Sequence, residues 1–157
     1  MKRYSRNGFT LIELLIVIAI LTVLFAITIV AVNPGRQFSQ ANNTQRRSDI
    51  SALLNGIFQY TADNRGQLPV FFNSTSTQQI GSSTGNCAIT CRATTTVAAC
   101  INLDPRLVPT YLADIPFDPL QTNASSTRYA VTKSATNNRL TITACDAELG
   151  ETISITR

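Results

Sequence analysis

From Phe9 to Val32 the sequence runs through 24 residues with a single charged side chain, Glu13. Wound as an α-helix at about 1.5 Å per residue, such a run is about 36 Å long, enough to cross a hydrocarbon layer of about 30 Å. The apolar stretch of a secretory signal is shorter, about 7–15 residues, and ends at an Ala-x-Ala-like site. Neither description fits here. Lys2, Arg3 and Arg6 precede the run, and basic residues on one flank hold that flank in the cytoplasm while the rest of the chain lies outside. The run reads as a single-pass membrane anchor.

The same three basic residues account for most of the charge. The chain has 13 Lys and Arg against 9 Asp and Glu, a net of +4. Without the first eight residues the count is 10 against 9. The basic balance describes a leader, so nucleic acid is not expected as a partner. At 157 residues there is room for one compact domain beside the anchor, and its wealth of Ser, Thr, Asn and Gln allows a modest core. There is no histidine, no glycine loop to cradle phosphate, and no serine or cysteine with a visible base. An enzyme is not expected.

Glu13 is the anomaly. A carboxylate within an apolar span costs about 2.5–3.5 kcal/mol on insertion scales. Taken alone, it either reaches headgroup water near the helix end or has a partner. It does not stand alone. Gly8-Phe9-Thr10-Leu11-Ile12-Glu13-Leu14, behind a short basic leader and ahead of Leu-Ile-Val-Ile-Ala-Ile, closely resembles the class III signal of type IV prepilins and type II secretion pseudopilins. The resemblance covers roughly residues 1–60. It implies that a prepilin peptidase cuts between Gly8 and Phe9 and methylates the new amine, and that Glu13 serves assembly. The cationic Phe9 amine and the Glu13 carboxylate of adjacent copies would then compensate each other and set the axial register of packed helices. The implied partners are other copies, related pilin subunits, the prepilin peptidase, the membrane platform of the assembly machinery and the lipid bilayer. The implied location is the inner (cytoplasmic) membrane with a cytoplasmic N-terminus, then an extracytoplasmic filament.

Beyond the anchor, Asn33-Pro34-Gly35 interrupts the apolar run and predicts a kink or melted turn near residues 33–36. Ile50, Leu53, Leu54, Ile57, Phe58 and Thr61 then form one apolar helical stripe. Arg46, Arg47, Asp49, Asn55 and Gln59 fall mostly on other faces, and Arg46-Arg47 reads as a solvated surface. Asn64-Arg65-Gly66 and Pro69 close the helix. Residues 70–99 read as loop. Arg128 to Thr132, Arg139 to Ala144 and Thr152 to Thr156 read as antiparallel strands, turning at Asn137-Asn138 and Glu148-Leu149-Gly150. The predicted fold is α+β and pilin-like: a long N-terminal helix, transmembrane in its first half and amphipathic in its second, packed on a small C-terminal antiparallel sheet. The segments are a leader at 1–8, a transmembrane and polymerisation helix at 9–32, the amphipathic half at 33–69, and an extracytoplasmic region at 70–157.

Four cysteines, Cys87, Cys91, Cys100 and Cys145, have spacings that fit no zinc site. Their even number beyond a membrane span fits disulfides in an oxidising compartment; reduced, buried thiols are the plainer alternative. Three pairings exist, and Cys87–Cys91 with Cys100–Cys145 is slightly preferred. Tyr111 to Pro119 resembles the Leu-Pro-x-Asp-Pro stretch of major type II secretion pseudopilins, some of which bind calcium. That resemblance implies Asp114 and Asp118 as candidate oxygen ligands. The Trp-Gly-Asn-Pro-Tyr that often follows is replaced by Leu120-Gln121-Thr122-Asn123, and turn-forming Asp-Pro pairs are the favoured reading. No other cofactor is expected. Pilus, secretion pseudopilus and competence filament are the competing uses, the Asp-Pro stretch pointing to secretion and the cysteines to a pilus. A signal-anchored extracytoplasmic domain that never polymerises is the alternative of a different class.

Overall fold

A computed structural model of the chain describes residues 8–73, 75–82, 87, 91–122 and 124–157. Lys2, Arg3 and Arg6 lie outside the described residues. The chain forms two compact units, Met1–Phe38 and Ser39–Arg157.

In the first unit, helix α1 spans Leu11–Val32 and buries none of its residues. It is apolar on every side, as a helix is when lipid or other protein is to surround it. It is long and apolar enough to cross a membrane. Its two hydroxyls are satisfied within the helix: Thr22 Oγ1 donates to the Ala19 carbonyl at 2.8 Å and Thr28 Oγ1 to Phe25 at 2.9 Å. These two hydroxyls thus need no water, as suits a segment in hydrocarbon.

The predicted interruption is confined to one residue. Asn33 is left-handed (φ 47°, ψ 76°) and ends α1; asparagine tolerates that region better than most residues. Pro34 opens helix α2, Pro34–Asp63, at the first helical position, where its missing N–H costs nothing and its φ is pre-set. Asn33 also starts the new helix, its carbonyl accepting from the Arg36 N–H at 3.1 Å. The interruption expected near residues 33–36 is therefore a break at Asn33 between two helices.

In the second unit, α2 presents Ile50, Leu53, Leu54 and Ile57, all buried, to a core shared with Tyr129, Val131, Leu140, Ile142, Ala144 and Ile153. It ends as the sequence suggests, with Arg65 and Gly66 at positive φ and the Gly66 N–H returning to the Thr61 carbonyl at 2.8 Å.

The sheet is larger than expected. β3 (Tyr129–Lys133), β4 (Leu140–Ala144) and β5 (Ser154–Thr156) form the predicted antiparallel meander. β4 alternates buried and half-buried residues, with Leu140, Ile142 and Ala144 facing the core. Two further strands appear, β1 (Gln78–Ile80) within the stretch read as loop and β2 (Val97–Ile101) beginning at its end. They extend the sheet to five strands in the order β2-β1-β3-β4-β5. β1 pairs antiparallel with β3, whereas β1 and β2 run parallel, so the sheet is mixed. A one-turn helix, α3 (Asp104–Leu107), follows β2.

Candidate functional site

The N-terminal site is built by the start of α1. Gly8, Phe9 and Thr10 precede the helix, and Thr10 is its N-cap in an extended conformation (φ −82°, ψ 151°). Thr10 Oγ1 accepts from the Glu13 N–H at 3.3 Å. Glu13 Oε2 reaches back and accepts from the Thr10 N–H at 3.3 Å and from the Thr10 hydroxyl at 3.3 Å. Two of the amides that a helix start leaves unbonded are satisfied reciprocally. Glu13 is thus tied to its own helix through one oxygen. Oε1 has no hydrogen-bond partner among the described residues. The Thr-x-x-Glu spacing was the signal that could have revealed this box from sequence.

Residues 3–29 match the family model described as the prokaryotic N-terminal methylation motif. The chain carries a class III prepilin signal. This signal marks a prepilin-peptidase substrate of the type IV pilin kind, and together with the apolar α1 it fits membrane anchoring. An N-terminal apolar helix, a second helix and a small mixed sheet make the α+β, pilin-like architecture. No curated protein and no solved structure matches the chain. Gly8, Phe9 and Glu13 all fall within the prepilin signal.

The remaining candidates lie in the second unit, and several are placed differently from expectation. The four cysteines form Cys87–Cys100, with Cα atoms 5.3 Å apart, and Cys91–Cys145, 4.6 Å apart. The preferred pairing was wrong because it ignored the two extra strands. Cys100 is on edge strand β2 and Cys145 follows β4, three strand positions away in the sheet. At about 4.8 Å per strand that is about 14 Å, twice the reach of a disulfide, about 7 Å. Cys87 lies beside β1, its sulfur 4.0 Å from the Gln79 carbonyl oxygen, and so meets the neighbouring strand β2 instead of Cys91.

Asp114 and Asp118 serve separate purposes. Asp114 is exposed and accepts from the adjacent Ile115 N–H at 2.8 Å. Asp118 is wholly buried and receives Arg46 through two parallel bonds, Nε to Oδ2 at 2.7 Å and Nη2 to Oδ1 at 3.0 Å. Its Oδ1 also accepts from the Leu120 N–H at 2.9 Å. Among the described residues no three acidic, histidine or cysteine side chains cluster as a metal set would. Asp118, one of the two candidate oxygen ligands, bonds the guanidinium of Arg46.

Arg46 overturns the reading of a solvated surface: its side chain is 0% exposed. Besides Asp118, its Nη1 donates to Asn43 Oδ1 at 3.0 Å and to Glu148 Oε2 at 2.8 Å. Burial acts against its charge, but the bonds it donates to Asp118 and Glu148 outweigh this and raise the pKa. Asn43 and Glu148 are further joined through the Glu148 backbone, and Ser39 and Asn42 complete the Glu148 carboxylate at 2.9 Å each. Next along the helix, Asp49 accepts from the buried Tyr129 hydroxyl at 2.7 Å. Arg47 does lie at the surface, paired with Glu151. Sequence reasoning missed this network, although Arg46 stands four residues ahead of Ile50 on the apolar stripe, and that spacing was the available signal.

Proposed function

We propose that this chain is the precursor of a structural subunit of a type IV pilus-like or type II secretion pseudopilus filament, and that it is not an enzyme. The single observation carrying the proposal is the methylation motif over residues 3–29, within which Gly8, Phe9 and Glu13 fall. Before processing, the chain rests in the inner membrane through α1, its N-terminus cytoplasmic and Ser39–Arg157 outside. Cleavage after Gly8 leaves Phe9 with a methylated amine about one helical turn from Glu13. Oε1 of Glu13, opposite the oxygen engaged by Thr10, is the acceptor offered to the Phe9 amine of an adjacent copy. An ion pair in hydrocarbon is tolerated when both members are present and costly when one is removed, so this pairing favours one axial stagger of packed α1 helices.

The deciding experiment is N-terminal mass spectrometry of the protein extracted from membranes of a host with an active prepilin peptidase. A mature chain beginning at methylated Phe9 is the expected result. A chain that still begins at Met1 would overturn the proposal and leave a signal-anchored domain.

A further inference from the structure

We propose that Thr10 is a positioning residue for cleavage of the Gly8–Phe9 bond: by capping α1 it keeps that bond in non-helical, accessible backbone. The inference rests on the reading of the chain as a prepilin and adds a task for a residue two positions beyond the cut.

Peptidases take their substrates as extended strands, reading alternate side chains and bonding the free backbone groups. A helical peptide has those groups engaged and its side chains wound around the axis. The scissile bond lies immediately before a strongly apolar helix, so the position of the helix start decides whether it is open to attack. Here the start is fixed. Gly8 and Phe9 are non-helical, Phe9 is 83% exposed, and a Cβ on Gly8 would meet nothing within 4 Å. The first helical bond is Leu14 N–H to the Thr10 carbonyl at 3.4 Å. The box between Thr10 and Glu13 satisfies the amides of both residues. Without the Thr10 oxygen the Glu13 amide loses its acceptor, and the next upstream residue with a strong capping side chain is Asn7. A helix starting there would take Gly8, Phe9 and Thr10 into its first turn and wind up the scissile bond. In the reaction itself, water supplies hydroxyl to the Gly8 carbonyl carbon as the bond to the Phe9 nitrogen breaks, and its proton goes to the departing amine. Thr10 takes no part in that exchange.

The test uses full-length chains in lipid vesicles with a co-reconstituted prepilin peptidase, following cleavage by mass spectrometry. Thr10→Val keeps the shape and removes the oxygen, and should lower kcat/KM about fivefold, the scale of a lost N-cap. Thr10→Ser should cleave as the parent does. Leu11→Pro added to Thr10→Val should restore the rate, because proline favours the first helical position and holds the residue before it extended. Equal rates for the parent and Thr10→Val would overturn the inference and leave the function intact. So would a slow Thr10→Val that proline does not rescue, since the hydroxyl would then act on the peptidase directly. A parent chain that is never cut at Gly8–Phe9 would remove the prepilin reading itself.

Discussion

Arg46 and Asp118, 72 residues apart in the chain, face each other in a fully buried, two-pronged ion pair. Removing one member of a buried ion pair leaves the other charge buried without its counter-charge. Asp118→Asn or Arg46→Met alone should destabilise the protein by about 3–5 kcal/mol. The double variant Arg46→Met with Asp118→Leu should lose clearly less than the sum of its parts. Urea unfolding of the detergent-solubilised chain, followed by circular dichroism, measures both.

Glu148 adds a pH dependence. Its hydrogen bonds from Arg46 and Asn42, with a smaller one from Ser39, outweigh partial burial and hold its carboxyl below the ordinary value of 4.5. A depressed folded-state pKa contributes stability that is present above the unfolded value and lost as pH falls through the folded one. The melting temperature should therefore drop as pH is lowered from about 5 toward about 3. Glu148→Gln should melt lower at neutral pH and show a shallower acid limb. Parallel limbs for the two proteins would show that Glu148 does not contribute to it.

The two disulfides should differ in weight. Cys91–Cys145 closes a separation of 54 residues and Cys87–Cys100 one of 13, and the longer loop restricts the unfolded chain more. Removing either by paired serine substitution should cost about 2–5 kcal/mol, with the greater loss for Cys91 and Cys145. Partial reduction with stepwise alkylation, read by mass spectrometry, tests the pairing itself.

Gly81 is held by its surroundings. A Cβ there would overlap the Ser125 carbonyl oxygen, a backbone atom that cannot swing aside. Gly81→Ala should destabilise by about 1–3 kcal/mol. At Gly56 the crowding atoms belong to the Leu112 side chain, the nearest 2.9 Å away, and alanine also gains about 1 kcal/mol of helix propensity. Gly56→Ala should be much milder, and thermal melts of the two variants compare them directly.

Glu13→Ala should still insert in the membrane, because it removes a charge from an apolar span. It should form few filaments, since the Phe9 amine of each neighbour loses its counter-charge. Sheared-filament yield against total membrane protein gives the comparison; parental yield would rule out the assembly role of Glu13.

The elements legible in the sequence were those with a strong period or a strong stop. The apolar run of α1, the stripe from Ile50 to Ile57, the stop at Arg65-Gly66 and the alternation of β4 each declare themselves locally. β1 and β2 do not, because Gln78-Gln79-Ile80 is short and polar and the first three residues of β2 are exposed. Their identity comes from the pairing of β1 with β3 and of β2 with β1, and the cysteine connectivity depends on that pairing. Arg46 was hidden for a related reason. Its charge suggests solvent, while its place on the stripe points to the core, and only the distant Asp118 and Glu148 resolve the conflict. Glu13 was recognised as anomalous, yet its bond to Thr10 was overlooked.

The Cys91–Cys145 bridge also bears on how the chain withstands proteolysis. Every peptide bond between those two positions lies inside a covalent ring, so a single nick there, after Arg106 or Arg139 for example, opens the ring without releasing a fragment. The damaged subunit stays in one piece until a reductant arrives, whereas a cut at Arg65, which no bridge spans, parts the anchored end from the rest of the domain.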